Sequence, residues 1–264
     1  MDLKNKKLFL LDMDGTIYLD DRLFPDVKEF LSEIKGRNGR YLFLSNNSSR
    51  GTGDYIRKME RLGIDCGPED FLTSADVAID VLKKEYPLKQ VYVMGTASLR
   101  AHMSMEGIRI CDNTEEAEVF LAAYDTELTY QKLKDACLLL NRKLPYLATN
   151  PDWVCPGENG PLPDCGSMCE MLWHATGRKP RILGKPEPEM VYSALKRTGF
   201  SRDECVLTGD RLYTDIACGV NAGIDTIFVL SGEGKREDIE AMSIYPSRVA
   251  DDISMILKWM KEEQ

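Results

Sequence analysis

Short apolar runs and longer amphipathic stretches alternate along the chain, and each such pair predicts a strand followed by a helix. The first run, Leu8–Leu11, ends on Asp12, and a later run over residues 41–44 ends on Ser45. Such runs fit strands that are buried on both faces, as in a parallel sheet. Between them, the apolar positions of residues 27–34 follow the helical period. The order strand, helix, strand, helix predicts a parallel α/β sheet.

The same alternation continues to the end of the chain. Further buried strands are predicted at residues 90–94, 118–122, 145–148, 181–183, 205–207 and 226–230. Residues 150–166 hold four prolines and three glycines and are predicted to form a long loop, followed by a helix over residues 167–175. Because the last third resumes the pattern of the first, we predict a core formed by residues 1–75 and 179–264. A second α/β domain, residues 76–178, is predicted to be inserted into it.

The composition limits the classes of partner. The chain has 264 residues, of which 43% are hydrophobic and 29% charged, and its formal net charge is -9. This charge argues against binding to nucleic acid or to a membrane surface, although a bound cation and a few lysines can still attract a small anion. No apolar run approaches the roughly 20 residues of a membrane helix. The first residues run straight into a predicted strand and leave no room for a signal peptide. The eight cysteines are therefore expected to be reduced thiols in the cytoplasm.

Polar side chains with catalytic potential follow several of the predicted strands. They are Asp12 and Asp14, Ser45 and Asn46, Lys185 in a Gly-Lys-Pro turn, and Asp210 with Asp215. The carboxyl ends of parallel strands share one edge of a sheet, so residues far apart in sequence can meet there. Two aspartates separated by one residue at the end of a buried run need a cation, a proton or both.

Each of these groups has a role if the substrate is a phosphate ester. One carboxylate can attack phosphorus and form an acyl phosphate that water then hydrolyses. A second carboxylate can protonate the leaving oxygen and later deprotonate the attacking water. A hard cation such as Mg²⁺, held by carboxylates and a backbone carbonyl, would shield the anionic nucleophile from the anionic substrate. A hydroxyl, backbone N–H groups and a lysine would bind the transferring oxygens.

Four segments, in this order along the chain, resemble the motifs of the haloacid dehalogenase superfamily of phosphotransferases: LFLLDMDGTIY, FLSNNSS, LGKPEPEMV and LTGDRLYTDI. The predicted insertion resembles the large α/β cap of the class IIA members, and the chain is most similar to the NagD and 4-nitrophenylphosphatase branch. The resemblance implies a Rossmann-like parallel-sheet core with an inserted cap domain. It also implies a Mg²⁺-dependent phosphatase that acts through a phosphoaspartyl intermediate, with activity of the 4-nitrophenyl phosphate type. Its substrate would be a small phosphorylated metabolite such as a sugar phosphate, a nucleotide or a cofactor phosphate.

The resemblance further implies a role for each candidate residue. Asp12 would be the nucleophile and Asp14 the general acid and base. An aspartate at position 14 favours phosphoester hydrolysis over carbon–halogen chemistry. The Ser45 side chain, the Asn46 backbone and the Lys185 ammonium would bind the phosphoryl group.

The resemblance also implies a magnesium site. Its ligands would be Asp12, the carbonyl of Asp14 and Asp210. Asp215 would hold Lys185 or a metal-bound water instead of binding the cation directly.

Substrate choice is expected to depend on the inserted domain, because the core chemistry is the same for every phosphate ester. We expect residues 150–166 to shape it, with Asn150, Asp152 and Arg178 as candidates. The oligomeric state stays open between a monomer and a dimer formed through the cap.

Three alternatives stay open at this stage. A receiver-like signalling module also stores a phosphoryl group on an aspartate, but it lacks an inserted cap and an acid two residues after the nucleophile. A binding protein with this fold could have lost turnover. A zinc site is the third alternative, although the spacing of its candidate ligands lacks the close cysteine pairs of structural zinc sites. These residues are Cys155, Cys165, Cys169 and His174.

Overall fold

The computed structural model of the protein describes residues 1–49, 52–155 and 160–263. Its strands are β1 (Leu8–Asp12), β2 (Tyr18–Leu19), β3 (Arg22–Leu23), β4 (Arg40–Ser45), β5 (Phe71–Thr73), β6 (Gln90–Met94), β7 (Arg109–Ile110), β8 (Val119–Ala122), β9 (Tyr146–Ala148), β10 (Val154–Cys155), β11 (Leu162–Pro163), β12 (Arg181–Ile182), β13 (Cys205–Gly209), β14 (Asp225–Val229) and β15 (Arg248–Ala250). Its α-helices are α1 (Val27–Gly36), α2 (Thr52–Arg61), α3 (Ser74–Glu85), α4 (Ala97–Met105), α5 (Tyr130–Asn141), α6 (Cys165–Thr176), α7 (Glu189–Thr198), α8 (Ala217–Ala222), α9 (Asp238–Met242) and α10 (Ile253–Glu262). Shorter helical segments lie at Leu3–Asn5, Pro68–Asp70 and Leu212–Ile216.

The chain forms two compact units, and each is built around its own parallel sheet. The first unit contains Met1–Ser45, Thr52–Leu72 and Lys185–Gln264. The second unit contains Asn46–Gly51 and Thr73–Gly184. The roles of core and cap that the sequence analysis assigned to the two domains stay predictions.

The sheet of the first unit has six strands in the order β15-β14-β13-β1-β4-β5. Strand β1 pairs in parallel with β13 on one side and with β4 on the other, so Leu8 lies opposite both Cys205 and Arg40. The apolar run Leu8–Leu11 is completely buried. The prediction of a buried strand that ends on Asp12 is confirmed, and the structure places this strand inside the sheet, between β13 and β4.

Helices α1 and α10 pack their apolar faces in the same cluster as β1. Phe30 of α1 meets Phe9 of β1 edge to face, with ring centroids 5.7 Å apart. Ile256 and Met260 of α10 belong to the same cluster. Burying side chains of this size contributes roughly 1.5–3 kcal/mol each. The packing therefore fixes the strand whose last residue is Asp12.

The second unit has a five-stranded sheet in the order β12-β9-β8-β6-β7, and all of its neighbouring strands are parallel. Its own apolar core contains Phe120 and Tyr146, whose rings stack with centroids 5.1 Å apart. Leu139 of α5 and Met168 of α6 pack in the same cluster. The prediction of an α/β fold with parallel sheets is confirmed.

Two consecutive elements, the edge strand β5 of the first sheet and the helix α3 that follows it, were not predicted. Strand β5 has only three residues, which is too few to show a pattern. Helix α3 begins with a capping box, in which Thr73 accepts a hydrogen bond from the backbone of Asp76 while the Asp76 carboxylate accepts one from Thr73. The structure therefore has a helix directly after β5, where the sequence analysis predicted none.

The predicted long loop over residues 150–166 is wrong in two places. Strands β10 and β11 form an antiparallel hairpin, with Val154 opposite Pro163. Helix α6 begins at Cys165, two residues before its predicted start, because Asp164 caps it by accepting a hydrogen bond from the Cys165 N–H. Strands of two residues are too short to show alternation, and the prolines and glycines around them suggested a loop. Residues 156–159 of the predicted loop lie outside the described residues.

No helix in the described ranges is long and apolar enough to cross a membrane. Helices α3, α5 and α6 each contain 12 residues. At about 1.5 Å per residue such a helix is roughly 18 Å long, whereas a hydrocarbon core is about 30 Å thick. The cytoplasmic location and the oligomeric state stay predictions.

Candidate active site

Three neighbouring strands of the first unit bring candidate residues to one edge of its sheet. Asp12 is the last residue of β1, Ser45 is the last residue of β4, and Asp210 follows the end of β13. Since β1 pairs in parallel with both neighbours, these three ends lie at the carboxyl edge, where open α/β sheets bind ligands. The Asp12 side chain is 16% exposed, so it is screened from bulk water but can be reached.

Lys185 is bonded to two carboxylates at this edge. Its Nζ donates to Asp12 Oδ1 at 2.5 Å and to Asp215 Oδ1 at 2.6 Å. The lysine side chain is only 4% exposed. A buried charge of this kind is tolerated when it is paired and hydrogen-bonded. The structure thus joins three of the predicted residues in one ion-paired group.

Burial and ion pairing act in opposite directions on the pKa values of Lys185 and Asp12. Burial would lower the pKa of Lys185, but the charges of Asp12 and Asp215 outweigh it and raise that pKa, so the lysine is an ammonium at neutral pH. Burial raises the pKa of Asp12, the Asp215 charge raises it further, and Lys185 opposes both effects. The ammonium is therefore the group that favours the carboxylate form of Asp12, which is the form a nucleophile needs.

Asp210 has one bonded oxygen and one oxygen that has no partner in the described part of the chain. Its Oδ2 accepts a hydrogen bond from the Glu233 N–H at 2.7 Å. Its Oδ1 is buried and has no hydrogen-bond partner among the described residues. Burial, with the nearby charge of Asp215 as the second cause, raises the pKa of Asp210 to about 6. A buried, unpartnered carboxylate oxygen is costly unless something binds it.

A metal ion fits this group of acids. Asp12, Asp210 and Asp215 each offer one oxygen, and these oxygens lie within 4.8 Å of one another. Among the described residues, this is the only group of three or more acidic, histidine or cysteine side chains placed to hold a metal. Carboxylate oxygens are the ligands of hard cations such as Mg²⁺ and Ca²⁺. A divalent cation would also offset the surplus of negative charge, since three carboxylates meet one lysine here.

Gly15 allows the chain to turn beside Asp210. Its φ of +82° lies in the left-handed region that glycine adopts without strain. A Cβ at this position would lie 2.5 Å from Asp210 Oδ2. The glycine of the first motif is therefore required both by the backbone conformation and by the close approach of the acid.

Asp14 has two partners, Lys58 and Tyr18, that the sequence did not predict. Its side chain is 65% exposed, and Lys58 Nζ of α2 lies 3.6 Å from its Oδ1. The buried Tyr18 Oη donates to Asp14 Oδ2 at 3.4 Å. Lys58 Nζ also lies 3.7 Å from the centre of the Tyr18 ring, a cation–π contact. Nothing in the sequence around Lys58 suggested this role, because lysines are common on the exposed face of a helix.

The second phosphate-binding motif is divided between the two units. Ser45 belongs to the first unit, where its Oγ is hydrogen-bonded to Tyr55 Oη at 2.8 Å. Asn46 belongs to the second unit, where its carbonyl accepts hydrogen bonds from Ser74 Oγ at 2.6 Å and from Asn150 Nδ2 at 2.8 Å. The sequence showed these two residues as one polar cluster and did not predict this division.

The three residues suggested for substrate choice each have a partner inside the second unit. The Asp152 carboxylate accepts a hydrogen bond from Asn46 Nδ2 at 3.1 Å, and Asn150 bonds the Asn46 carbonyl. Arg178 donates to the carbonyls of Leu140 and Leu144, at 3.1 Å each. Their role in binding substrate stays a prediction.

Comparison with known proteins identifies relatives along nearly the whole chain. A family model described as haloacid dehalogenase-like hydrolase matches residues 9–109, and a second, described as HAD-hydrolase-like, matches residues 182–256. An acid sugar phosphatase of Staphylococcus aureus is 31% identical over 252 residues, which is 96% of this chain and 97% of that protein.

Solved structures with the same fold are also found. The 4-nitrophenylphosphatase of Thermotoga maritima is 38% identical, with a TM-score of 0.91 over 97% of this chain and 98% of that one. A glycerol phosphate phosphatase of Mycobacterium tuberculosis, solved with magnesium, is 28% identical, with a TM-score of 0.88 over 96% of this chain and 77% of that one. The resemblance that the sequence motifs indicated is confirmed.

Proposed function

Because the chain belongs to the haloacid dehalogenase-like hydrolases, in their NagD and 4-nitrophenylphosphatase branch, and is a phosphoric monoester hydrolase, we propose that it hydrolyses a small sugar phosphate or related ester through a phosphoaspartyl intermediate. The observation that carries this proposal is the ion-paired group of Asp12, Lys185 and Asp215, with Asp210 beside it. The names of the relatives, which include a sugar phosphatase and a glycerol phosphate phosphatase, support a small polyol or sugar ester.

In the first step, an oxygen of Asp12 attacks phosphorus, and the bond between phosphorus and the leaving oxygen breaks. Asp14 donates a proton to that leaving oxygen, so the alcohol departs neutral. Lys185 favours the ionised form of Asp12 before the attack and then binds the phosphoryl oxygens. The Ser45 hydroxyl, at the neighbouring strand end, is a further donor to those oxygens.

In the second step, water attacks the phosphorus of the acyl phosphate. Asp14, now ionised, accepts a proton from that water, and the bond between phosphorus and the Asp12 oxygen breaks. Inorganic phosphate leaves, and both aspartates return to their starting forms. The 65% exposure of Asp14 supports this role, because an acid that exchanges protons with water must be reached by it.

We propose Mg²⁺ as the cation, held by Asp12, the Asp14 carbonyl and Asp210. When bound, it supplies positive charge that offsets the repulsion between the Asp12 carboxylate and an anionic phosphate ester. Asp215, whose oxygens accept from Lys185 Nζ and from the Arg211 N–H at 3.1 Å, is assigned to hold Lys185.

The domain roles are part of the same proposal. Residues 1–75 and 179–264 would form the catalytic core, and residues 76–178 would form the cap domain that selects the substrate. The proposal is supported by the position of the ion-paired acids and Lys185, which all belong to the first compact unit.

The experiment is hydrolysis of a panel of sugar phosphates, glycerol phosphate, nucleotides and 4-nitrophenyl phosphate by the wild-type chain and by Asp12→Asn, with Mg²⁺ and with a chelator. We expect turnover that requires both the metal and Asp12. Asp21→Asn, an exposed aspartate of the β2–β3 turn, is the matched control and should keep full activity.

Two results would contradict the proposal. Hydrolysis that survives Asp12→Asn would remove the phosphoaspartyl intermediate. A wild-type protein that binds Mg²⁺ but turns over no ester would indicate a phosphate-binding or phosphate-storing role instead.

A further inference from the structure

A loop that received no role from the sequence contacts Asp210 through its backbone. This loop, residues 231–234, follows β14 and has the sequence Ser-Gly-Glu-Gly. The Glu233 N–H donates to Asp210 Oδ2 at 2.7 Å, and the Gly234 N–H donates to the Asp210 carbonyl at 3.1 Å. The 231–234 loop therefore holds both the carboxylate and the backbone of this acid.

The same loop also holds the turn that follows β1. Ser231 Oγ donates to the Gly15 carbonyl at 2.7 Å. The Gly232 Cα lies 3.1 Å from the position that a Cβ on Gly15 would take. The 231–234 loop thus ties the turn after Asp12 and Asp14 to Asp210, although these residues are almost 200 positions apart in sequence.

Gly232 is required by this close approach. A Cβ at position 232 would collide with the carboxylate of Asp210, and the atoms in its way include the carboxylate carbon as well as Oδ2. Even the smallest side chain would therefore push the Asp210 carboxylate away from the Glu233 N–H. A glycine is the residue that lets a backbone approach a ligand group so closely.

The consequence is a carboxylate with one fixed and one available oxygen. Oδ2 is held by the Glu233 N–H, whereas the buried Oδ1 has no hydrogen-bond partner within the described ranges. Groups that hydrogen-bond to a metal ligand orient it toward the metal.

We propose that the 231–234 loop is the positioning element of the metal site, because it holds Asp210 Oδ2 so that Oδ1 is directed to the cation. Gly232 and Ser231 then help to set the affinity for the metal without touching it. The inference rests on the proposed function in one respect, namely that Asp210 is a ligand of the cation.

Glu233 acts on Asp210 mainly through its backbone N–H. Variants of this loop are therefore expected to change metal affinity by different amounts. Its side chain is paired with Arg211 at 2.9 Å and accepts a hydrogen bond from Tyr213 Oη at 3.0 Å. Glu233→Gln keeps the N–H that bonds Asp210, so metal affinity should change least in this variant. Gly232→Ala should change it most, because the added Cβ displaces the carboxylate directly.

The experiment measures the dissociation constant of Mg²⁺ by isothermal titration calorimetry on the full chain. We expect Gly232→Ala to weaken binding about 10- to 100-fold, the range found when groups that support metal ligands are lost. Ser231→Ala should weaken it by a smaller factor, and Ser231→Thr, which keeps the hydroxyl, should restore it. The control is Gly36→Ala at the end of α1, where an added Cβ meets nothing within 4 Å and binding should equal that of the wild type.

A second measurement separates positioning from general damage. If the loop sets metal affinity, hydrolysis by Gly232→Ala should recover toward the wild-type rate as Mg²⁺ is raised, because the catalytic groups themselves are unchanged. Thermal unfolding in a chelator, followed by circular dichroism, reports whether each variant is folded. If Gly232→Ala does not fold, the comparison of Ser231→Ala with Ser231→Thr decides the question.

Unchanged Mg²⁺ affinity in Gly232→Ala or Ser231→Ala, while Asp210→Ala loses binding, would overturn the inference. Absence of Mg²⁺ binding by the wild type would overturn it too. Failure of the proposed function has a different signature: the wild type would bind Mg²⁺, with affinity that depends on the loop, but would hydrolyse no phosphate ester.

Discussion

The carboxyl edges of the two sheets carry similar acids that differ in how completely they are bonded. In the second unit, Asp125 follows β8, and its oxygens accept hydrogen bonds from Lys132 Nζ at 2.7 Å and from the Glu127 N–H at 3.0 Å. In the first unit, Asp210 follows β13, and its Oδ1 has no hydrogen-bond partner in the part of the chain that the structure describes. Asp125 is thus bonded through both of its oxygens, whereas among the described residues Asp210 is bonded only through Oδ2.

The lysines at the two sheet edges show the same difference, although Lys132 is 24% exposed and Lys185 only 4%. Lys132 is paired with one carboxylate, that of Asp125, and also donates to two backbone carbonyls. Lys185 is paired with both Asp12 and Asp215. Because a third carboxylate lies beside that pair, the first unit has a surplus of negative charge at its sheet edge, and the second unit has a balanced ion pair.

In the second unit, residues of the segment 46–49 form hydrogen bonds with residues that follow the ends of strands. Ser48 Oγ bonds to Thr149 Oγ1 at 3.0 Å, and Thr96 Oγ1 donates to the Ser49 carbonyl at 3.2 Å. The polar groups that follow β6 and β9 are thereby satisfied within the unit. Two sheets of the same kind thus differ in chemistry because of the residues at their edges, not because of their fold.

Replacing the two lysines gives the largest expected contrast. Lys185→Met removes the ammonium that favours the carboxylate form of Asp12 and that, under the proposed function, binds phosphoryl oxygens, so kcat should fall about 10³-fold. Lys132→Met leaves the buried Asp125 unpaired, which should cost about 1–3 kcal/mol in the free energy of unfolding but little activity. Urea unfolding and kcat for 4-nitrophenyl phosphate measure both effects. Equal losses of activity in the two variants would remove the distinction between the two edges.

Metal binding should distinguish the two acids next. Mg²⁺ at 100 times its dissociation constant should stabilise the wild-type chain by about 2.7 kcal/mol, because a ligand that binds only the folded state favours it. Asp210→Asn should lose this stabilisation, and Asp125→Asn should keep it. The measurement is the shift in Tm on adding Mg²⁺ to the chelator-treated protein. A full shift in Asp210→Asn would show that this carboxylate is not a ligand.

A smaller effect should appear at Asp14. Lys58→Met removes the ammonium 3.6 Å from its carboxylate. If Asp14 is the proton donor, as we propose, kcat for a sugar phosphate should fall about 10-fold, because the donor is no longer held in place. The fall should be smaller for 4-nitrophenyl phosphate, whose leaving group departs without a proton. Lys58→Arg should restore activity, and Arg57→Met, at the preceding position of α2, is the control. Equal losses on both esters would contradict the positioning of Asp14 by Lys58.

The smallest effect is expected at the hairpin of the second unit. Trp153 is 68% exposed, so Trp153→Ala should change the free energy of unfolding by less than about 0.5 kcal/mol. If the second unit selects the substrate, kcat/KM should change several-fold for some esters of the panel and stay constant for others. A uniform change, or none, would indicate that this part of the hairpin does not take part in substrate choice.

The sequence alone predicted the α/β fold and the meeting of Asp12, Lys185, Asp210 and Asp215. For Asp12 and Asp210 the reason is that a run buried on both faces implies a parallel sheet, and parallel strands end at one edge. This reason does not apply to Lys185, because the strand before it, β12, belongs to the sheet of the second unit. Ion pairing between these residues follows from their charges once they share that edge. The loop predicted over residues 150–166 was wrong in part, since a hairpin with two residues in each strand has no period to detect.

Only the tertiary structure decided which other groups complete the site. Lys58, Ser231 and Gly232 lie in stretches whose local sequence is typical of an exposed helix or a surface turn. Their contacts with Asp14, Gly15 and Asp210 depend on how α2 and the end of β14 pack around β1. The local pattern of apolar and polar residues indicates which side chains are buried and whether the segment has the period of a helix or a strand. Both are properties of a few neighbouring residues. Distances of 2.7–3.6 Å between residues far apart in sequence depend on the packing of the whole unit.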